Sequence, residues 1–181
     1  MSELSKRIII FSTEPISSSI NYTNVWTEPY SLEECPPKIF NEKRKEKDDG
    51  DIYGYLPSQT QIIDDNALTK IENIFIQYPG VCCVYADCII DDNSTHFSSW
   101  NYEICKKHIM NIPLFINSQV NLQFNEQLQY LYNYDYLCQL NRRHLSWHIA
   151  EPLFEIQSIQ QDSSRLQTEL QYILKTYESS S

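Results

Sequence analysis

The chain alternates between short continuous apolar runs and stretches in which apolar residues recur every three or four positions. Continuous β-branched runs are typical of buried strands, and the wider spacing is typical of amphipathic helices. The strands predicted in this way are residues 6–11, 52–56, 81–86, 114–116 and 146–149. The predicted helices are a segment between the cap candidates 64–66 and the stop at 78–80, then 102–110, 130–141 and 163–178. This alternation indicates an α/β fold with a mainly parallel central sheet flanked by helices.

Residues 12–50 have a different character. Four prolines interrupt the segment, and no helical spacing lasts for more than a turn. The segment ends in the mixed charge run 42–49, which we interpret as a solvated loop because it has no apolar face. The sequence therefore predicts one domain, residues 1–181, with an irregular, loop-rich insert at 12–50.

The last predicted helix, residues 163–178, is amphipathic. Its cap candidates are Asp162 and Ser163, and its apolar residues recur at helical spacing. A short helix of this kind gains most of its stability from packing its apolar face on the rest of a protein. We therefore expect it to pack across the body of the domain.

Composition and charge narrow the class of protein. Hydrophobic residues make up 41% of the 181 positions, which is enough for a packed core. The net charge of −10 argues against nucleic-acid binding, which depends on cations that neutralise phosphates. There is no apolar stretch of the length needed to span a membrane, and the first residues do not resemble a secretion signal. These features predict a cytoplasmic protein without a membrane span.

Motifs for phosphate binding and for some kinds of covalent catalysis are missing. Gly50, Gly54 and Gly80 are the only glycines, so no glycine-rich phosphate loop and no G-x-S-x-G nucleophile motif can be formed. The six cysteines contain no C-x-x-C spacing, and we interpret them as free thiols of a reducing compartment.

Residues 51–157 contain five segments in an order known from one enzyme family. The segments are 51–68, then 84–87 with Val-Tyr-Ala-Asp, then 100–118, 124–140 and 148–154. In this order they resemble the second half of family 2 glycosyltransferases of the GT-A fold. The resemblance implies a GT-A-like sheet whose N-terminal, nucleotide-binding half is reduced. It also implies a nucleotide-sugar donor and a divalent metal.

The chain departs from that family at the positions that carry its chemistry. The metal position reads Pro57, Ser58 and Gln59, and these offer no carboxylate to Mn²⁺ or Mg²⁺. The position of the catalytic base is Asn133, which cannot accept a proton, although a shifted register would place Asp135 there. We therefore expect no metal or other cofactor, with Mn²⁺ or Mg²⁺ needed only if the chain is an active enzyme.

Other residues are candidates for donor or acceptor binding. The resemblance points to Trp100 and Glu126 in its third and fourth segments. Asp87 and Asp91 follow a predicted strand, where open α/β sheets often bind ligands. Together with Asp92 they could hold a cation, or they could form a turn of ordinary Asx chemistry.

The expected function follows from the resemblance and its departures. We expect a catalytically inactive, glycosyltransferase-like domain that serves as a binding or structural module in an assembly. The alternative is an active transferase with a metal-independent donor site. Expected partners are a protein or a second copy of the chain, and a sugar or nucleotide-sugar is a further candidate. The bias toward Ile, Asn, Gln and Tyr is typical of AT-rich genomes, so a viral origin, with a place in the virion, is a second interpretation.

Overall fold

The fold is taken from a computed structural model of the chain. The structure describes residues 6–17, 20, 22, 24–31, 35–46, 51–91, 93–95, 112–142, 145–157 and 162–178. The strands are β1 (Ile8–Ser12), β2 (Val25–Pro29), β3 (Ile52–Tyr55), β4 (Thr60–Ile62), β5 (Val81–Ile90), β6 (Asn93–Thr95), β7 (Leu114–Asn117) and β8 (Leu145–Ile156). The helices in this part of the chain are α1 (Pro36–Glu46), α2 (Ala67–Gln77), α3 (Tyr132–Asn141) and α4 (Ser163–Glu178). The predicted helix 102–110 lies outside the described residues.

The strands form one mixed sheet in the order β2-β1-β3-β7-β5-β8-β4, with β6 paired to β5. The pairs β1–β2, β1–β3 and β5–β8 are parallel. The pairs of β7 with β3 and β5, of β4 with β8 and of β6 with β5 are antiparallel. The α/β class is confirmed. The expected mainly parallel sheet is not, because β7 runs against both of its neighbours in the middle of the sheet.

One face of the sheet is covered by aromatic side chains from α1 and α3. Phe11 on β1 stacks on Tyr55 of β3, with ring centroids 5.2 Å apart. Phe40 of α1 contacts both rings, and Tyr132 of α3 packs edge-on against Phe40. These rings are almost fully buried, so they contribute much of the apolar area that stabilises the fold.

On the opposite face of the sheet, the absence of a side chain at Gly54 leaves room for the ring of Phe115. A methyl group at Gly54 would lie 2.7 Å from Cε1 of Phe115 and 3.3 Å from Cγ1 of Ile10. Both neighbours are completely buried, so neither can move without disturbing the core. The sheet therefore needs glycine at this position for a close approach between strands.

We expect Gly54→Ala to lower the free energy of unfolding by about 1–3 kcal/mol through overpacking. Gly80→Ala is the matched control, because a methyl group there would meet nothing within 4 Å. Urea denaturation of the two variants measures the difference. Equal stability of Gly54→Ala and Gly80→Ala would contradict this packing of Phe115.

The prediction that residues 12–50 are irregular is wrong in two places. Val25–Pro29 pairs with β1 as the edge strand β2. Pro36–Glu46 forms α1, which begins with two prolines that favour a first helical turn. The charge run therefore starts inside a helix. Its residue Arg44 is held against the protein and donates hydrogen bonds to the backbone carbonyl oxygens of Ser118, Val120 and Leu122.

The C-terminal helix packs on the domain as expected, and its range 163–178 is confirmed. Ile173 and Tyr177 bury their side chains. The carboxylate of Glu169, also buried, accepts hydrogen bonds from the backbone N–H groups of residues 129, 130 and 131 at 2.7–3.0 Å. These groups directly precede α3, whose N-terminus has no side-chain cap of its own. The helix α4 thus places a carboxylate beside the N-terminus of α3, where the helix dipole favours negative charge.

Candidate functional site

Asn133 and Asp135, the candidates for the catalytic base position, lie in the interior on α3. Asn133 is fully buried, and its amide donates hydrogen bonds to the carbonyl oxygens of Ile112 (2.7 Å) and Tyr55 (3.2 Å). Asp135 is 2% exposed and accepts hydrogen bonds from the Tyr177 hydroxyl at 2.9 Å and from Gln139 at 2.8 Å. Asn133 therefore joins α3 to the sheet, and Asp135 joins α3 to α4.

Burial raises the pKa of the Asp135 carboxyl, and the hydrogen bonds from Tyr177 and Gln139 lower it by a smaller amount. A raised pKa means that the folded state holds the proton more tightly than the unfolded state does. The contribution of Asp135 to stability is therefore fully present below the ordinary pKa of about 3.9 and is lost as the pH rises through the folded-state value.

We expect Asp135→Asn to become more stable relative to the wild type as the pH rises from about 4 through this window. Asparagine keeps an acceptor for Tyr177 and carries no charge into the interior. The difference in the free energy of unfolding between the two proteins therefore grows by about 1.4 kcal/mol for each unit by which folding raises the pKa of Asp135. Thermal unfolding of both proteins between pH 4 and pH 7 measures it, with the exposed Asp65→Asn as control. A difference between Asp135→Asn and the wild type that stays constant with pH would contradict this.

Asp87 pairs with a residue that the sequence did not single out as its partner. Asp87 is buried within β5, and its Oδ1 lies 2.7 Å from Nε2 of His148 on β8. His148 also stacks on Tyr85, its register partner across the parallel β5–β8 pair. The distance is that of a hydrogen bond between the imidazole ring and the carboxyl group. Finding the pair from the sequence would have required the pairing of two strands about 60 residues apart.

The predicted group of carboxylates after β5 does not converge. The strand extends to Ile90, so Asp87 lies inside it and not in the turn that follows. Asp91 is exposed in that turn, with a φ of 46°, and its N–H donates to the carbonyl of Ile156. Four strand positions separate Asp87 from Asp91 by about 13 Å. Asp92 and Trp100 lie outside the described residues.

The other candidates have structural contacts. Glu126 is exposed and accepts a hydrogen bond from the Asn41 amide of α1 at 3.0 Å. Pro57, Ser58 and Gln59 form the turn into β4, where Gln59 has a φ of 57° and donates its N–H to the Thr13 hydroxyl. Within the described residues no three His, Cys, Asp or Glu side chains form a group that could hold a metal ion.

The cysteine thiols inside the sheet are poor nucleophiles. Burial raises the pKa of Cys83 and, with a smaller effect of Asp87, that of Cys88. Thiolates are the reactive species of cysteine, and these two residues remain thiols at neutral pH.

A cavity of about 250 Å³ lies at the carboxyl ends of β1 and β3, beside β4. Its polar lining includes Ser12, Glu14 and Thr60, and its apolar lining includes Ile16, Leu56 and Ile62. Thr60 is buried, and its hydroxyl has no hydrogen-bond partner among the described residues. An unpaired buried hydroxyl costs about 1–3 kcal/mol, so this position calls for an explanation.

Comparisons with known proteins do not support the expected family. No family model matches the chain, and no curated protein matches it. One similar solved structure is that of the viral protein A197 from STIV, with 10% identity, a TM-score of 0.45, and coverage of 80% of this chain and 82% of that one. The assignment to family 2 glycosyltransferases is therefore wrong on these findings. The five segments on which it rested are short and consist of common strand and turn residues.

The remaining expectations concern the origin, the compartment, the partners and the domain organisation of the chain. The viral origin and the compartment expected from the sequence stay predictions. Across the described ranges, no helix combines the length and apolarity needed to cross a lipid bilayer. The expected protein or homo-oligomeric partner, the absence of nucleic-acid binding and the single-domain organisation stay predictions.

Proposed function

We propose that this chain is a non-catalytic binding module. The observation that carries the proposal is the position of Asn133 and Asp135. Their polar atoms hold helices and strands together inside the protein, out of reach of a substrate. A general base must come within hydrogen-bond distance of the proton that it removes. Asn133 and Asp135, the base candidates named from the sequence, are therefore not available as a general base in this fold, and this supports binding over a turnover that depends on them.

The charge and the structured elements of residues 12–46 add support for binding. Ser12 and residues 14–17 line the cavity at the carboxyl end of β1, where α/β sheets commonly bind ligands. The net charge of −10 favours ligands and partners that are neutral or positively charged over anionic ones. A binding module of this kind can serve in a larger assembly without any reaction of its own.

Metabolite profiling tests the proposal without assuming a substrate. Wild-type protein and Asp135→Asn are each incubated with a small-molecule cell extract containing Mg²⁺ and Mn²⁺, and mass spectrometry follows free and protein-bound compounds over time. We expect at least one compound to be retained unchanged and equally by both proteins. Depletion of a compound by the wild type that Asp135→Asn abolishes would contradict a non-catalytic function.

A further inference from the structure

The outer side of β2 is an open edge of the sheet. β2 is the last strand in the sheet order, and β1 is its only partner among the described strands. Asn24 accepts a hydrogen bond from the first residue of β1, and Tyr30 donates one to the last residue of β1. Because successive residues of a strand direct their backbone groups to opposite sides, the N–H and C=O groups of Val25 and Thr27 point away from β1. An edge of this kind can pair with one more strand.

Trp26 is a large apolar side chain on this edge. Among the described aromatic residues it is the most exposed, at 52%. It lies on the same face of the sheet as Glu28, which forms an ion pair with Lys43 of α1 at 3.2 Å. The indole therefore lies at the border of the face that α1 covers. Aromatic residues are enriched in protein interfaces, and an open strand edge beside one is a typical site for strand addition.

This edge is complementary to itself. In an antiparallel pairing about a two-fold axis at Trp26, Val25 lies opposite Thr27 of the second copy, and the two exchange both of their backbone hydrogen bonds. The two Trp26 side chains meet at a position without backbone hydrogen bonds, where facing side chains are closest. Glu28 lies opposite the neutral Asn24, so no like charges face each other. The contact therefore avoids the repulsion that a net charge of −10 causes between two copies elsewhere.

Pro29 disfavours an axis nearer to the end of β2. Its nitrogen is on the outer side of the strand, as that of Thr27 is, and it has no hydrogen to donate. An axis at Glu28 would place Pro29 opposite Thr27 of the second copy, and an axis at Thr27 would place it opposite Val25. Either pair would lose one of its two hydrogen bonds. With the axis at Trp26, the pair of Val25 and Thr27 keeps both bonds.

We propose that β2 is a dimerisation edge, at which two copies of the chain pair antiparallel about a two-fold axis at Trp26 and form one continuous sheet. The paired strands are five residues long, so the interface belongs to the small, transient class. We expect a Kd of about 1–100 μM. The inference goes beyond the proposed binding function, because two copies pair in this way whether or not the chain acts on a substrate. A failure of the dimer leaves the metabolite profile unaffected.

Sedimentation velocity over a range of about 0.1 μM to 1 mM, which brackets the expected Kd, tests the dimer. The wild type should change reversibly from monomer to dimer as its concentration rises. Trp26→Ala should weaken the dimer at least tenfold. Tyr172→Ala removes a similarly exposed aromatic side chain from α4, 44% exposed, and should leave the dimer unchanged. A wild type that stays monomeric, or a dimer that Trp26→Ala leaves intact, would overturn the proposal.

Thr27→Pro tests the backbone pairing. It removes an N–H that points away from β1, so the hydrogen bonds within the sheet remain, and edge strands tolerate proline at such positions. We expect at least tenfold weaker dimerisation, and thermal unfolding of the dilute monomer checks that the variant is folded. Dimerisation as strong as that of the wild type would overturn the pairing at this edge.

Cysteine cross-linking tests the position of the axis. Trp26→Cys places two thiols opposite each other on strands whose Cα atoms are about 4.5 Å apart, which is within the range for a disulfide. Glu28→Cys is the control, because its two copies are offset by four strand positions, or about 13 Å. With a mild oxidant at high protein concentration, mass spectrometry should find chains joined at position 26 and none joined at position 28. Absence of the link at 26, or a link at 28, would overturn the proposed axis.

Discussion

Replacing Glu169 with alanine is expected to lower the free energy of unfolding by about 3 kcal/mol, because three backbone N–H groups before α3 lose their acceptor at once. Hydrogen bonds to a charged group are worth about 1.5–3 kcal/mol each, and water that enters the vacated position recovers part of the loss. A change of this size should lower the Tm by roughly 6–12 °C.

Glu169→Gln tests whether the charge matters in addition to the hydrogen bonds. The amide keeps one acceptor oxygen and removes the anion at the helix N-terminus, so we expect about half of the loss. Gln171→Ala, on an exposed position of the same helix, is the control for changes in α4 itself. Urea denaturation of the three variants gives the comparison. If Glu169→Ala were as stable as Gln171→Ala, α4 would not cap α3.

The second large effect is expected at Arg44. Its guanidinium donates hydrogen bonds to the carbonyl oxygens of residues 118, 120 and 122, and it lies 5.3 Å from the ring centroid of Tyr53. Arg44→Ala leaves these partly buried carbonyl groups without their donor. We expect a loss of about 3 kcal/mol in the free energy of unfolding.

The geometry of the guanidinium group is also important. The compact ammonium group of a lysine lacks the planar, spread N–H donors with which the guanidinium group reaches three carbonyl oxygens. Arg44→Lys should therefore recover at most half of the loss. The exposed neighbour Lys45 provides the control, and Lys45→Ala should stay within about 0.5 kcal/mol of the wild type. Chemical denaturation measures all three. A loss in Lys45→Ala equal to that in Arg44→Ala would mean that helix α1, and not the Arg44 contacts, is responsible.

The sequence predicted the elements whose own residues show a clear pattern of apolar and polar positions. The β-branched run before Ser12 forms β1, and the apolar spacing of the last helix defines α4. The charge run at 42–49 was predicted to be a loop, although its first residues belong to α1. Helical residues with charges on every side have no apolar stripe, so the pattern did not indicate a helix. Arg44 is held there by carbonyl groups more than 70 residues away, and no local pattern contains that information.

The candidate site was less predictable than the fold. Asp135 was identified from the sequence, but its burial depends on how α4 packs on α3. The pair of Asp87 with His148 depends on which strands are neighbours in the sheet. The cavity is formed by the loop after β1 and by the short strand β4, which no periodicity predicted. Each feature arises from long-range packing, which a pattern of polar and apolar positions does not specify.

A thermal-shift titration of the wild-type protein with Mn²⁺ and a panel of nucleotides and nucleotide-sugars tests the central claim most directly. A ligand that binds the folded state at one hundred times its Kd adds about 2.7 kcal/mol of stability, which is several degrees in Tm. A non-catalytic module with a net charge of −10, which disfavours anionic ligands, predicts an unchanged Tm across the panel. A metal-dependent rise with one nucleotide-sugar would contradict the account and would place a catalytic donor site in this fold.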